Sequence, residues 1–229
     1  DESQHLMYSI KQSLAAIRST LPAGVDLVAV SKFHPAEAVA EAYDADQRIF
    51  GESRVQELLD KAAHLPQDIK WHFIGHLQTN KVRALVASRC VSLIESVDSE
   101  RLLRLIDSES LRAGIVSRVL VQAHVAKEET KFGFLPAELL DFFARGGYRD
   151  LKATHICGLM GMASNTDDEA RVRADFDTLA SLKKQIQASA PDLVGFDTLS
   201  MGMSHDYPLA IAAGANLVRV GTAIFGERY

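Results

Sequence analysis

Cysteine is scarce in this chain of 229 residues: there are two, Cys90 and Cys157. They have no metal-ligand spacing, which excludes a cysteine-based zinc module. Each follows polar residues into an apolar run, so both read as buried free thiols of a reducing cytoplasm rather than as a disulfide. Long apolar runs are also missing. No window approaches the roughly 20 apolar residues of a membrane-spanning helix. Asp1-Glu-Ser-Gln-His5 leads into a polar helix and lacks the apolar core of a signal peptide. The expected location is the cytoplasm. Positive charge is in deficit, with 25 Lys and Arg against 30 Asp and Glu and a net charge of −5. Bulk binding to a nucleic-acid backbone needs a basic face, which this balance argues against. The chain shows no linker, low-complexity tract or fine-scale repeat. With 47% apolar and 24% charged residues it has the composition of a soluble globular protein. Its length suits one barrel-sized α/β domain over residues 1–229.

What is present is a regular alternation. The first twenty residues read as a helix with Leu6, Ile10, Leu14 and Ile17 on one stripe. After Pro22-Ala-Gly24, β-rich runs near 25–31, 47–50, 70–74, 91–95, 117–125, 153–160, 197–201 and 217–220 follow one another. Helical patterns separate them at 35–45, 53–63, 78–88, 99–113, 136–146, 167–189 and 206–213. Asp98 or Ser99 caps the helix at 99–113, whose inner face is Leu102, Leu103, Leu105 and Ile106. Eight strands alternating with helices predict a (β/α)8 barrel behind an extra N-terminal helix. An open doubly wound sheet shares the pattern and differs only in closure.

The most informative stretch is the end of the chain. Leu199-Ser-Met-Gly-Met-Ser-His-Asp206 and Leu217-Val-Arg-Val-Gly-Thr-Ala-Ile-Phe-Gly226 are apolar runs ending in small residues, each followed by helical character. Small residues let backbone N–H groups point outward, and a helix N-terminus adds partial positive charge, so such turns hold a phosphate without a cationic cluster. Ser200, Ser204, Gly221 and Thr222 are the candidate phosphate ligands. Val25-Asp-Leu-Val-Ala-Val-Ser-Lys32 places one lysine at a strand end, where partial desolvation exposes a nucleophilic amine. A lysine beside a phosphate cradle points to a carbonyl cofactor held as a Schiff base, that is, pyridoxal phosphate (PLP). Arg219, inside the run Val218-Arg-Val220, has two readings: a salt bridge to a nearby carboxylate, or a donor facing a pyridine nitrogen. His72 and His76 fall on a strand and the following turn with no matching third ligand, so no metal site is expected. Gln78, Thr79 and Asn80 are expected to cap a helix and line the rim.

These residues also fall into known motifs. The pieces are Ala29-Val-Ser-Lys32, Phe50-Gly-Glu-Ser-Arg-Val-Gln-Glu57, His72-Phe-Ile-Gly-His-Leu-Gln-Thr-Asn-Lys81 and Lys131-Phe-Gly133. Gly158-Leu-Met160, Leu199-Ser-Met-Gly-Met-Ser204 and Val218-Arg-Val-Gly-Thr-Ala-Ile-Phe-Gly-Glu-Arg228 complete the set. Over almost the whole chain it resembles the pyridoxal phosphate homeostasis protein family, relatives of the N-terminal barrel of alanine racemase. The resemblance implies a monomeric barrel of the fold-type III PLP class with the cofactor on Lys32. It also implies contacts from Met160, Ser200, Met201, Ser204, Gly221 and Thr222, with Arg219 at the pyridine nitrogen. The partners it implies are PLP itself and PLP-dependent apo-enzymes. One departure stands out: the family's Gly-Glu-Asn is here Gly51-Glu-Ser53.

The chain stops at Tyr229, where alanine racemase continues into a second domain that supplies an opposing base. The expectation is therefore a carrier and regulator in vitamin B6 and amino-acid balance without efficient catalysis. A small PLP-dependent racemase or lyase is the alternative, with Tyr207, His76 or His124 as its hidden base. A cofactor-free lysine aldolase, its turns holding a sugar phosphate, is a third.

Overall fold

The computed structural model describes residues 9–129 and 132–227. Leu6, Lys131 and Arg228, each part of a pattern above, lie outside the described residues. Helix α1 (Ile10–Thr20) precedes the barrel and starts on a capping box, in which Ser9 accepts from the Gln12 amide and Gln12 returns to the Ser9 amide. The strands are β1 (Asp26–Val30), β2 (Ile49–Glu52), β3 (Lys70–Phe73), β4 (Val91–Val97), β5 (Ser117–Gln122), β6 (Thr154–Met160), β7 (Thr198–Ser200) and β8 (Leu217–Val220). The helices between them are α2 (Ala36–Asp44), α3 (Val55–His64), α4 (Val82–Ala87), α5 (Glu100–Ala113), α6 (Pro136–Ala144), α7 (Glu169–Ser189) and α8 (Tyr207–Ala212), with a last turn α9 (Thr222–Phe225).

All eight strands are parallel, and β1 pairs with both β2 and β8, from Asp26 opposite Leu217 to Ala29 opposite Val220. That closes the barrel and removes the open-sheet alternative. Strand periodicity then sorts side chains into two layers. Val28, Leu93, Leu120, Cys157, Met160 and Leu217 plug the barrel interior. Their neighbours Ala29, Phe50, Trp71, Phe73, Ile94, Val218 and Val220 face the helices, in the larger core between sheet and helix ring.

Several predicted details shift. Ser99, not Asp98, caps α5 by accepting from the Leu102 amide, and Gly114 ends it in the left-handed region. Leu105 is only half-buried there, while Leu102, Leu103 and Ile106 are in the core. The helix expected over 78–88 is shorter. Thr79–Lys81 forms a 3₁₀ turn before α4, and Gln78 makes no side-chain cap. Cys157 is a buried free thiol, but Cys90 is only half-buried, against the Ser88 hydroxyl.

Two glycines test this packing at different strengths. A Cβ at Gly158, on the irregular stretch of β6, would lie 1.9 Å from the carbonyl oxygen of Thr198 on β7. At Gly114 (φ +69°) a Cβ would meet nothing within 4 Å, so only the backbone conformation resists it. Gly158→Ala should cost about 3 kcal/mol or more, by forcing two strands apart. Gly114→Ala should cost about 1 kcal/mol. Urea unfolding of both variants checks this, and equal losses would contradict the β6–β7 contact.

Candidate functional site

In a parallel barrel the loops at the C-terminal ends of the strands carry the site. There, Lys32, Ser204, Arg219, Gly221 and Thr222 line one cavity of about 240 Å³. Ser53, the departure from the family pattern, lines it as well. A larger cleft of about 680 Å³ opens by the N-terminal ends of β3 and β4, but it brings together no comparable set of amine, guanidinium and small-residue turns.

Strand alternation delivers Lys32. Val28 points into the barrel, Val30 lines the cavity, and Lys32 continues on the same side. Ser31 points the other way, its hydroxyl donating to the Glu52 carboxylate at 3.2 Å. The two small-residue turns meet across β7 and β8. The Gly221 amide donates to the Ser204 hydroxyl at 3.2 Å, and a Cβ on Gly221 would come within 3.3 Å of Val30. Thr222 opens α9, whose first amides have no intrahelical acceptor, as at the start of any helix. The Met203 amide donates to Asp206 at 2.7 Å and fixes the first turn.

Three predicted residues sit elsewhere. Met160 belongs to the apolar plug, 1% exposed. Met201 is buried in the outer core and its amide donates to the Leu217 carbonyl. Ser200 is buried, donating to Glu95 and accepting from Arg219. The lining positions on those loops are taken by Met162 and Met203 instead, each two residues further along its chain. On β6 and β7 it is residues just past the strand ends whose side chains reach the cavity.

Arg219 makes the salt bridge of its first reading and also lines the cavity. It lies 3.7 Å from Glu95 while also donating to the Gly161 carbonyl at 3.1 Å. Glu95 in turn is bonded by His72 at 2.7 Å. Burial alone would raise the Glu95 carboxyl. The hydrogen bond and charge of His72, the Arg219 charge and the Ser200 hydroxyl together bring it below its ordinary value. Burial lowers Arg219, against the pull of Glu95 and Asp206. His72 therefore faces into the barrel, whereas His76 stacks on Phe132 at 4.0 Å and bonds Asp98, so the two histidines diverge. Neither Glu95 nor His72 was selected as a site residue from the sequence. A carboxylate in the middle of the apolar run Val91–Val97 was the available signal.

The candidate bases are dispersed as well. Tyr207 bonds Thr20 at 3.0 Å, and neither it, His76 nor His124 lines the cavity. His205 does, with its side chain mostly in solvent beside Asp206.

A second charged group lies behind Lys32. Glu52 is fully buried and bonded by Lys61. Burial pushes its carboxyl up to about 7, against the lowering pull of Lys61. A raised carboxyl binds more protons in the folded than in the unfolded state. Its contribution is therefore full below the ordinary value of 4.5 and lost as pH rises through 7. Relative to Glu52→Gln, the wild type should lose at most about 3 kcal/mol between pH 5 and pH 8. Urea titrations at the two pH values measure this, and a constant difference would contradict it.

With this geometry in view, comparison with known proteins is informative. The family model for the alanine racemase N-terminal domain matches residues 7–229. The pyridoxal phosphate homeostasis protein of Schizosaccharomyces pombe is 38% identical over 229 residues, 97% of this chain and 94% of that one. Its counterpart in Vibrio cholerae is 41% identical over 226 residues, 96% and 91% of the two chains. The structure of PipY from Synechococcus elongatus with PLP bound superposes with a TM-score of 0.86 at 40% identity, covering 95% of this chain and all of that one. Alanine racemase of Streptomyces lavendulae, at 17% identity and a TM-score of 0.75 over 56% of its chain, shares the fold. The chain belongs to the alanine racemase N-terminal domain family, among the pyridoxal phosphate homeostasis proteins.

Proposed function

We propose that this protein holds PLP at Lys32 and serves PLP and amino-acid homeostasis as a carrier without efficient catalysis. One observation carries the reading: Lys32, Arg219 and the Ser204–Gly221–Thr222 turn line the same cavity. The lining fits the cofactor group by group. Lys32 supplies an amine for the aldehyde, the backbone and hydroxyls of Ser204, Gly221 and Thr222 suit a phosphate, and Arg219 suits the ring edge. When bound, PLP supplies an electrophilic carbon and an aromatic electron sink. PipY, 40% identical to this chain, has a structure with PLP bound, which supports the choice of cofactor.

The chain's own residues restrain that chemistry. Arg219 has donors only, so a ring nitrogen set against it stays unprotonated and the ring draws electrons weakly. Glu95, Ser200 and the Gly161 carbonyl lock the guanidinium in place. Proton transfer on the far side of the cofactor needs a second base. Of the residues predicted for it, none lines the cavity, and His205 stands in open water, where controlled proton transfer is inefficient. His205 is nonetheless the observation that keeps a small racemase or lyase as the second reading.

Lys32→Ala should abolish the visible absorbance of the loaded protein and any borohydride-stable label, with the melting temperature unchanged because a rim side chain leaves no core cavity. Peptide mapping of the reduced wild type should find the label on Lys32. A label on Lys81 instead would contradict the assignment.

A further inference from the structure

The peptide groups on either side of Lys32 are both held by side chains of one helix. Lys61, on α3, donates to the Ser31 carbonyl at 2.9 Å. Glu57, one turn earlier on α3, accepts from the Phe33 amide at 2.8 Å and from Lys61 at 2.9 Å. Arg54, at the N-cap of α3, lies 4.7 Å over the Phe33 ring. The attachment is costly in two ways. Phe33 has φ +66°, a left-handed conformation that non-glycine residues adopt only when their surroundings impose it. Lys61 is 7% exposed, and an ammonium that deep needs its partners to stay charged. Both costs fall at the one place where the chain turns out of β1 to present Lys32. Neither Glu57 nor Lys61 lines the cavity, so their effect on a ligand has to pass through the backbone.

We propose that Glu57 and Lys61 are positioning residues: they clamp the backbone on both sides of Lys32 and so aim its amine into the cavity. This inference rests on the reading of Lys32 as the attachment point for PLP. Glu52 completes the clamp from the side by pairing with Lys61 at the end of β2. The clamp belongs to α3 and β2, whereas the phosphate turns belong to β7 and β8. The two functions are therefore separable by mutation.

The test is the rate of PLP capture, followed by absorbance and confirmed at Lys32 by borohydride reduction and peptide mapping. It is run on the wild type, Glu57→Ala, Glu57→Gln and Lys61→Met, with inorganic phosphate as competitor. Glu57→Ala and Lys61→Met should capture PLP on the order of tenfold more slowly, the scale expected when a reacting group is held less well. Glu57→Gln keeps an acceptor for the Phe33 amide and should stay within about twofold of the wild type. Inhibition by phosphate should be the same in all four. Equal capture rates would overturn the clamp, and so would a parallel loss of phosphate binding, which would mean general damage to the cavity. If the wild type itself carries the label on another lysine, the functional reading falls and takes the clamp with it. A wild type labelled at Lys32 beside unaffected variants defeats the clamp alone.

Discussion

The pairing of the first strand with the last is the contact on which the site depends. Lys32 and the Gly221–Thr222 turn come from opposite ends of the chain, and only the β1–β8 ladder makes them neighbours. The same ladder brings Val30 against Gly221 so closely that a side chain there would press on the strand. Each half is unremarkable by itself: a lysine in a loop, and a small-residue turn. Closure brings them to the lining of one cavity. On the proposed reading, amides and hydroxyls let a chain of net charge −5 hold an anionic group without a basic patch.

Beneath that cavity the barrel is sealed by charge as well as by hydrocarbon. The interior is apolar up to Leu93 and Leu217, and two residues further along the same strands it becomes Glu95 and Arg219. A buried pair of this kind contributes little net stability, because desolvation offsets most of the attraction. Its effect here is geometric: Ser200, His72 and the Gly161 carbonyl use the remaining bonding positions and leave the guanidinium one arrangement. The result is a fixed, permanently charged donor at the floor of the cavity.

Much of this was legible in the sequence, because the signals were local. Alternating apolar runs marked the strands, and caps such as Ser99 marked helix starts. Lys32, Ser204, Arg219, Gly221 and Thr222, selected by residue type and place in a turn, line one cavity. Met160 and Met201 lie two residues before the lining Met162 and Met203, since a motif does not state where a strand leaves the barrel mouth. The contacts of Glu95 with Arg219 and of Lys61 with the Ser31 carbonyl were invisible for a different reason. They are fixed by which strand and helix end up adjacent, and no short window contains both members of Arg219–Glu95 or of Lys61 and the Ser31 carbonyl.

On the proposed reading, the cavity holds a cofactor in reach of solvent rather than converting a substrate on it. Racemisation of L-alanine by the PLP-loaded protein tests that claim most directly. The account predicts a rate no greater than that of free PLP at the same concentration. Turnover on the order of 10 per second, ordinary for an enzyme, would contradict it.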